Sequence, residues 1–370
     1  MGFFGRDHRT FSAWPRRCDL RHAWSWAVSL CYNVPMNRSV ALCLGFCMLA
    51  LATVSVARAA VFQLREDGSG VFGATEIVTT RYEDTLIELA RRYSLGYEEL
   101  TRVNPGIDPW LPGEGAQVVI PGQRILPPGP REGIVVNLPE HRLYFFPKPK
   151  RGEPAVVYTF PVSVGKMDWR TPLGRTRITA KTKNPAWYPP DSVRLEHASR
   201  GETLPRVVPA GPANPLGAHS LRLAIPGGAY LIHGTNNPDA VGMAVTHGCL
   251  RMYPEDVEKL FELVKVGTPV ELINEPIKLA TVDGELWLEV HPPVDAEGQR
   301  AAADLPLFEQ RLDDVLGPME AAVYWERALE VLRSAEGIPA VVGLQMLDEE
   351  PDADVDPAAT EAPVAALPPT

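Results

Sequence analysis

Short apolar runs separated by turn residues dominate the middle of the chain. The runs are rich in β-branched and aromatic residues and are bounded by Gly, Pro and Asn, a pattern typical of strands joined by turns. Strands are predicted at residues 133–138, 142–146, 155–164, 175–180, 221–223, 230–233 and 269–273. After Pro254 the apolar residues Val257, Leu260, Phe261 and Val264 recur at helical spacing. We therefore predict a mainly β domain over residues 131–275, a sandwich or barrel-like sheet with one or two helices.

A different pattern occupies residues 74–121. Strand-like residues 76–79 and 117–121 flank two short helical patterns, one over 85–93 with Asp84 as its N-cap and one that begins at Gly96. The order strand, helix, helix, strand predicts a small α+β module. A Pro-Gly joint at residues 126–130 is predicted to be a stiff spacer and the domain boundary.

Beyond the predicted β domain, residues 276–346 form a C-terminal extension. It contains a strand-like stretch at 286–290 and two amphipathic helical patterns, at about 304–316 and 320–333. Residues 347–370 hold seven acidic residues and no Lys or Arg, a composition that predicts a disordered tail. This tail supplies most of the net charge of -10. Since no basic stripe is present, nucleic-acid binding is not expected.

The segment from Met36 to Ala60 has the pattern of an export signal. Arg38 provides the positive end, residues 40–56 are apolar, and Ala57-Arg58-Ala59 is a small-x-small cleavage site. An uncleaved membrane anchor is the alternative, because about 18 apolar residues can span a bilayer. Residues 1–35 lack a clear period, so we expect translation to start at Met36.

If the signal segment is removed on export, the number of cysteines in the mature chain falls to one. Four of the five lie in or before the signal segment, namely Cys18, Cys31, Cys43 and Cys47. The exported chain keeps only Cys249, which cannot form an internal disulfide. It could be a spare buried thiol, half of an intermolecular bridge, or a nucleophile.

Two histidines flank this cysteine, His233 and His247. An imidazole that takes the thiol proton is a common way to activate a cysteine nucleophile. Zinc binding is a competing interpretation, but zinc needs three or four ligands and only one thiol is present. A further alternative is that both histidines only satisfy buried backbone groups. The concentration of these groups beside Gly234 and Gly248 favours a catalytic site.

This constellation resembles the signature of the L,D-transpeptidase family, whose core is the YkuD-type domain. The family pattern is His, a spacer, Ser or Thr, then His-Gly-Cys, a hydrophobic residue and Arg or Asn. Here it runs from His233 through Thr246 and Cys249 to Arg251, with every fixed position filled. Further similar stretches lie at residues 133–138, 142–144, 171–174, 184–187 and 211–217, so the resemblance covers about 131–275.

The resemblance implies a role for each site residue. Cys249 would be the nucleophile, His233 the base, and the Gly234 carbonyl would orient the imidazole. Backbone N–H groups around His247, Gly248 and Cys249 would form an oxyanion hole. Arg251 suits a substrate carboxylate, although a structural salt bridge is the alternative. Thr235 and Thr246 are further candidate substrate-binding residues, and the role of His247 is left open.

The module at 74–121 resembles a LysM module, which in that family grips the glycan of peptidoglycan or chitin. The likeness rests on Asp84-Thr85-Leu86, Ala90, Tyr93, Leu100, Val103-Asn104-Pro105 and the terminal Val119-Ile120-Pro121. A generic small α+β domain is the alternative.

Together the resemblances imply a periplasmic enzyme that acts on peptidoglycan. Its cysteine would form a thioester with a tetrapeptide stem, release D-Ala, and pass the acyl group to an amine of another stem or of an envelope lipoprotein. Water as acceptor would make it a carboxypeptidase. Two different functions compete with these, a non-catalytic wall-binding scaffold and a zinc hydrolase. No cofactor or metal is implied, since thiol, imidazole and oriented amides suffice.

Overall fold

The computed structural model describes residues 60–66, 70–166, 171–227, 229–292 and 305–346. The predicted signal segment, the start at Met36, the four other cysteines and the acidic tail at 347–370 lie outside these residues. No helix in the described ranges has the length and apolar character needed to span a bilayer.

Strands outnumber helices, which confirms the mainly β prediction. The strands are β1 (Ala60–Gln63), β2 (Val71–Phe72), β3 (Glu76–Thr79), β4 (Gln117–Ile120), β5 (Arg124–Ile125), β6 (Gly133–Asn137), β7 (Arg142–Phe146), β8 (Val156–Pro161), β9 (Val164–Gly165), β10 (Gly174–Lys183), β11 (His219–Leu223), β12 (Leu231–His233), β13 (Ala244–Thr246), β14 (Leu250–Arg251), β15 (Pro269–Ile273), β16 (Ile277–Val282), β17 (Glu285–Val290), β18 (Ala321–Val323) and β19 (Ala340–Gln345). The helices are α1 (Leu86–Arg92), α2 (Tyr97–Arg102), α3 (Asp191–Ser199), α4 (Pro254–Leu263), α5 (Leu305–Leu316) and α6 (Trp325–Ser334), with a 3-10 turn at Pro238–Ala240.

A single curled sheet of nine strands forms the body, in the order β1-β8-β7-β6-β15-β10-β11-β12-β14. The last strand, β14, returns to the chain that follows β8. There Ser163 N donates to Arg251 O at 2.8 Å, and Arg251 N donates to Ser163 O at 3.1 Å. These two bonds bring the far edge of the sheet back towards its beginning, so the body is barrel-like as predicted.

Helix α4 packs against the apolar face of the sheet. Pro254 stands at its first position, and Glu255 and Asp256 lie in the first turn, where negative charge suits the helix dipole. Val257 and Leu260 are buried in one core with residues from strands across the sheet. The predicted helix is confirmed, and only Met252 and Tyr253 separate it from Arg251.

The body contains elements that the apolar pattern did not predict. Residues 155–164 form two strands, β8 and β9, rather than one. Helix α3 lies in the connection between β10 and β11, where only Val193 of the helix is buried. With so few apolar positions, α3 lacks the periodic stripe that reveals an amphipathic helix.

The N-terminal module has the predicted order β3, α1, α2, β4, with β3 and β4 antiparallel. Leu86, Leu100 and Val118 share its small core. One detail differs, because the N-cap of α1 is Thr85, whose hydroxyl accepts from Glu88 N at 3.1 Å. Asp84 instead accepts from Arg81 N at 2.8 Å. The identity of this module as LysM, and the domain boundaries, stay predictions.

The Pro-Gly joint is more than a spacer. Leu126 is buried with Val135, Tyr144 and Phe146 in a separate apolar cluster beneath the sheet. Immediately before it, β5 pairs with β2. Leu126 of this predicted spacer therefore contributes to a core, because the pairing of β5 with β2 positions it there.

The C-terminal extension forms its own four-stranded sheet, in the order β16-β17-β19-β18, covered by α5 and α6. Phe308 of α5 is fully buried in this core. The helix predicted over 320–333 starts later than expected. Its first residues form β18, which pairs with β19, since an edge strand satisfies the backbone groups of β19 that would otherwise be unpaired.

Candidate active site

The predicted site residues meet on two adjacent parallel strands, β12 and β14. His233 lies opposite Arg251, and Ile232 opposite Leu250. Because side chains alternate along a strand, His233 and Arg251 project to the same face, and Cys249 lies two positions before Arg251. Strand spacing and rise then place the Cα atoms of His233 and Cys249 roughly 8 Å apart, a separation that their side chains can bridge.

A tight turn directly precedes Cys249. Gly248 has a φ of 92°, a region that glycine enters without steric cost. The Thr246 hydroxyl donates to Cys249 O at 2.6 Å and closes the turn. Thr171, which sequence analysis did not single out as a site residue, donates from its buried hydroxyl to Gly248 O at 3.2 Å.

The carbonyl oxygens of Gly248 and Cys249 thus accept hydrogen bonds from Thr171 and Thr246. The N–H groups of Gly248 and Cys249 donate to no backbone carbonyl of the described residues. The resemblance assigns these N–H groups to an oxyanion hole, and that role stays a prediction.

The imidazole of His233 is buried and has a defined orientation. Its Nδ1 lies 2.7 Å from the carbonyl oxygen of Gly234. A carbonyl only accepts, so Nδ1 carries the proton and Nε2 keeps its lone pair. Burial, and then the positive charge of Arg251, lower the pKa of His233 to about 4, against the opposing effect of the Gly234 hydrogen bond. At neutral pH the ring is therefore an uncharged base.

The thiol of Cys249 is half-buried beside the backbone of β12. Its Sγ lies 3.6 Å from the carbonyl oxygen of Ala229. Burial raises the pKa of Cys249, and the N–H of Leu231 and the charge of Arg251 oppose this only in part. At neutral pH both the Cys249 thiol and the His233 imidazole are therefore in their neutral forms.

The surroundings of the Arg251 guanidinium leave it able to bind an anion. No carboxylate among the described residues forms a salt bridge with it, and its buried Nε has no hydrogen-bond partner there. Burial lowers its pKa from the ordinary value. A structural salt bridge, the alternative role for this residue, is thus not seen in the described part of the chain.

His247 points to a carboxylate on α3. Its Nε2 lies 2.6 Å from Glu196 Oε2, while Lys166 Nζ lies 2.7 Å from Glu196 Oε1. Hydrogen bonds from Lys166 and then His247 lower the pKa of Glu196 to about 2. Sequence analysis missed Glu196, since it lies 51 residues before His247 and belongs to no local motif.

Thr235 and Thr246 are both engaged inside the protein. The Thr235 hydroxyl donates to Asn237 O at 3.1 Å and accepts from Asn237 N at 2.9 Å. Both threonines are buried. Their contacts assign them to holding the loop and the turn, and the prediction that they bind substrate gains no support from this geometry.

A second cluster of titratable groups lies away from the cysteine. Glu140, Glu289 and His291 are buried close enough together to resemble metal ligands. Lys278 Nζ, however, lies 2.9 Å from Glu140 Oε1 and 2.8 Å from Glu289 Oε1. The ammonium already supplies the positive charge that these carboxylates need, so the cluster is an ion-pair network.

Comparisons with known proteins show the family of this chain. The L,D-transpeptidase catalytic domain (YkuD) matches residues 131–272. The probable L,D-transpeptidase YcfS of Escherichia coli (strain K12) is 39% identical over 249 residues, covering 66% of this chain and 77% of YcfS. The probable L,D-transpeptidase ErfK/SrfK of the same strain is 39% identical over 263 residues, covering 70% of this chain and 82% of that protein.

Solved structures show the likeness more weakly. An L,D-transpeptidase from Mycobacterium smegmatis is 22% identical, with 43% of this chain and 63% of that chain covered and a TM-score of 0.29. A TM-score this low adds nothing to the assignment, which rests on the sequence relatives. The match over residues 131–272 identifies the body, with its cysteine and histidine, as the catalytic domain of a transpeptidase. This chain belongs to the L,D-transpeptidase family and is an L,D-transpeptidase.

Proposed function

We propose that this enzyme works through a thioester on Cys249, with His233 as its general base. The observation that carries the proposal is the bond from His233 Nδ1 to the Gly234 carbonyl. It leaves Nε2 free to accept a proton on the face of the sheet that Cys249 shares. A neutral thiol beside a neutral imidazole is the starting state of general-base catalysis.

In the first step, the Cys249 sulfur attacks the carbonyl carbon between the L-centre of diaminopimelate and the terminal D-Ala of a tetrapeptide stem. The thiol proton moves to His233 Nε2, and the N–H groups of Gly248 and Cys249 stabilise the oxyanion. When the intermediate collapses, the C–N bond breaks and the departing amine of D-Ala takes the proton from His233. A thioester remains on Cys249.

In the second step, an acceptor amine attacks the thioester and gives its proton to His233. The carbon–sulfur bond breaks, and the thiol is restored by that proton. If the amine belongs to diaminopimelate of another stem, the product is a 3-3 crosslink. If it belongs to a lysine of an envelope lipoprotein, the product is an anchored protein. We propose that the enzyme forms crosslinks. If water were the acceptor instead, the enzyme would be a carboxypeptidase.

The guanidinium of Arg251, which forms no salt bridge with a carboxylate of the described residues, is suited to bind a carboxylate of the stem. A guanidinium grips a carboxylate with two parallel hydrogen bonds, which a lysine reproduces poorly. Arg251 stands on the same face as His233, so the bound anion would lie beside the reacting carbonyl. Its charge also favours the thiolate as it forms.

The N-terminal module is proposed to bind the glycan of the wall. Large apolar side chains stay exposed at one end of it, with Tyr82 86% exposed, Trp110 59% and Leu111 80%. The two loops that carry them meet where Leu86 N donates to Pro109 O at 2.9 Å. Exposed aromatic groups of this kind mark binding surfaces. Together with the predicted export signal, a wall-binding module supports a periplasmic location.

The test combines a soluble tetrapeptide stem with intact peptidoglycan sacculi. Intact mass spectrometry of the wild-type enzyme with the stem should show a thioester adduct and released D-Ala, and Cys249→Ala should show neither. Cys249→Ala should still bind sacculi, whereas Trp110→Ala should bind them less while keeping the adduct. Product analysis then distinguishes transfer, which gives stem dimers, from hydrolysis, which gives a tripeptide stem. An adduct on Cys249→Ala would contradict the mechanism.

A further inference from the structure

The chain between His233 and Cys249 is held from both sides at its midpoint. On the side of the body, Ser163 Oγ donates to Ala240 O at 2.7 Å and Val164 N donates to Met243 O at 3.2 Å. On the other side lies the N-terminal module, where Tyr97 N donates to Val241 O at 2.9 Å. The module therefore contacts the segment that joins the base to the nucleophile.

This contact is backbone against backbone. A Cβ built on Gly242 would lie 2.2 Å from the Cα of Gly96, and one built on Gly96 would lie 2.8 Å from the Cα of Gly242. Real Cβ atoms do not approach other atoms so closely, and neither neighbour is a flexible side chain that could move away. Both positions thus need glycine, one in the module and one in the catalytic loop. The Gly242 carbonyl also lies 2.9 Å from His141 Nδ1.

The module holds the chain after the cysteine as well. Tyr253 donates from its hydroxyl to Leu95 O at 3.1 Å. Arg91 makes a two-pronged ion pair with Glu255, at 2.7 and 2.8 Å. Cys249 is thereby flanked on both sides along the chain by residues that the module contacts.

Buried ion pairs fix the module against the body. Glu99 of α2 lies 2.6 Å from Arg124 and 2.6 Å from Arg142, and all three side chains are buried. Such a charge cluster tolerates little displacement, because moving one partner leaves a buried charge unpaired. The module is held in one position, unlike a domain on a flexible tether.

We propose that the N-terminal module is a structural part of the active site, with Gly96 and Tyr97 as positioning residues for the loop that carries Cys249. This role is independent of wall binding and rests on the proposed function only in taking Cys249 as the nucleophile. It predicts that a change at the Gly96–Gly242 contact slows acylation even by a soluble stem that has no glycan. A module that served only as a wall anchor would not affect that reaction.

The experiment compares Gly96→Ala with Gly106→Ala in the full-length enzyme. Gly96 has φ -83° and ψ 155°, which alanine adopts freely, so the added Cβ acts through its contact with Gly242. Gly106 lies in the same module with φ +85° and nothing within 4 Å of its Cβ position. Alanine there strains the module without touching the loop. Acylation by the soluble tetrapeptide stem is followed in time by mass spectrometry, at a temperature where all variants are folded.

For Gly96→Ala we expect a rate constant lower by about tenfold or more, with the full adduct amplitude reached at long times. Gly106→Ala should match the wild type in both. Equal rate constants in all three proteins would overturn the inference. So would a reduced amplitude at an unchanged rate constant in Gly96→Ala, since that reports a lost folded fraction. Failure of the proposed function gives a different result, in which the wild type itself forms no adduct on Cys249.

Discussion

At the scale of single residues, the site is defined by how burial changes two titratable groups. Burial and the nearby charge of Arg251 lower the pKa of His233 to about 4, while burial raises that of Cys249. Both shifts favour the neutral forms. In a preformed thiolate–imidazolium pair, by contrast, the histidine pKa would be raised by its anionic partner.

These shifts predict the pH dependence of acylation. His233 must be neutral to accept the thiol proton, so kcat/KM for a tetrapeptide stem should fall only as the pH drops towards about 4. An unperturbed histidine would lose activity near its ordinary pKa of 6.5. The measurement is the rate of D-Ala release against pH in the range where the enzyme stays folded. An acid limb centred near 6.5 would show that the imidazole is not desolvated as described.

At the scale of elements, helix α3 depends on one carboxylate for its place near the catalytic turn. The helix buries only Val193, so apolar packing holds it weakly. Glu196 compensates by contacting both His247, beside the nucleophile, and Lys166, which follows β9. Lys166 N in turn donates to Thr246 O at 2.9 Å. His247 therefore connects the segment beside Cys249 to helix α3, through its hydrogen bond with Glu196.

Glu196→Ala should therefore slow acylation of Cys249, by up to about a hundredfold if it lets His247 and the turn from Thr246 to Cys249 move by about an ångström. The matched control is Glu202→Ala. Glu202 pairs with His197 of the same helix, at 2.5 Å, but not with the catalytic turn. Hydrogen exchange of residues 191–199 should rise in Glu196→Ala more than in the control. Identical acylation rates in the two variants would count against a positioning role for Glu196.

At the scale of the whole molecule, buried charges join the β6–β7 hairpin of the body to the N-terminal module and to the C-terminal sheet. Arg142, at the start of β7, pairs with Glu99 of the module. Glu140, two residues earlier, pairs with Lys278 of the C-terminal sheet. Burial tends to raise the pKa of Glu140, but the Lys278 ammonium and His291 outweigh it and lower that pKa below its ordinary value. Ionised pairs thus connect the hairpin to both neighbours.

Lys278→Met should be strongly destabilising, because it leaves the carboxylates of Glu140 and Glu289 buried without their cation. A loss of ~3–5 kcal/mol in unfolding free energy is expected from breaking one partner of a buried pair. Lys150→Met is the control, since Lys150 and Glu153 form an exposed pair at 3.6 Å worth less than ~1 kcal/mol. Urea unfolding followed by circular dichroism measures both. Equal midpoints for the two variants would show that Lys278 does not hold this junction together.

Local patterns were sufficient for most elements and for the reacting groups. Strands β7 and β15 were predicted at their observed bounds, because short apolar runs with aromatic or β-branched residues between turn residues are typical of strands. The helix after Pro254 was visible for the same reason. Cys249, His233 and Arg251 could be identified from the sequence because their thiol, imidazole and guanidinium groups occupy the fixed positions of a short motif.

Contacts between distant segments were decided only by the tertiary structure. Glu196 beside His247, Thr171 beneath Gly248, and Gly96 against Gly242 each join residues that no local period relates. Their proximity depends on how the nine-stranded sheet curls and on where the N-terminal module packs against the body. A periodic pattern describes which face of an element is apolar, whereas the closing of the sheet determines which distant polar groups that element meets.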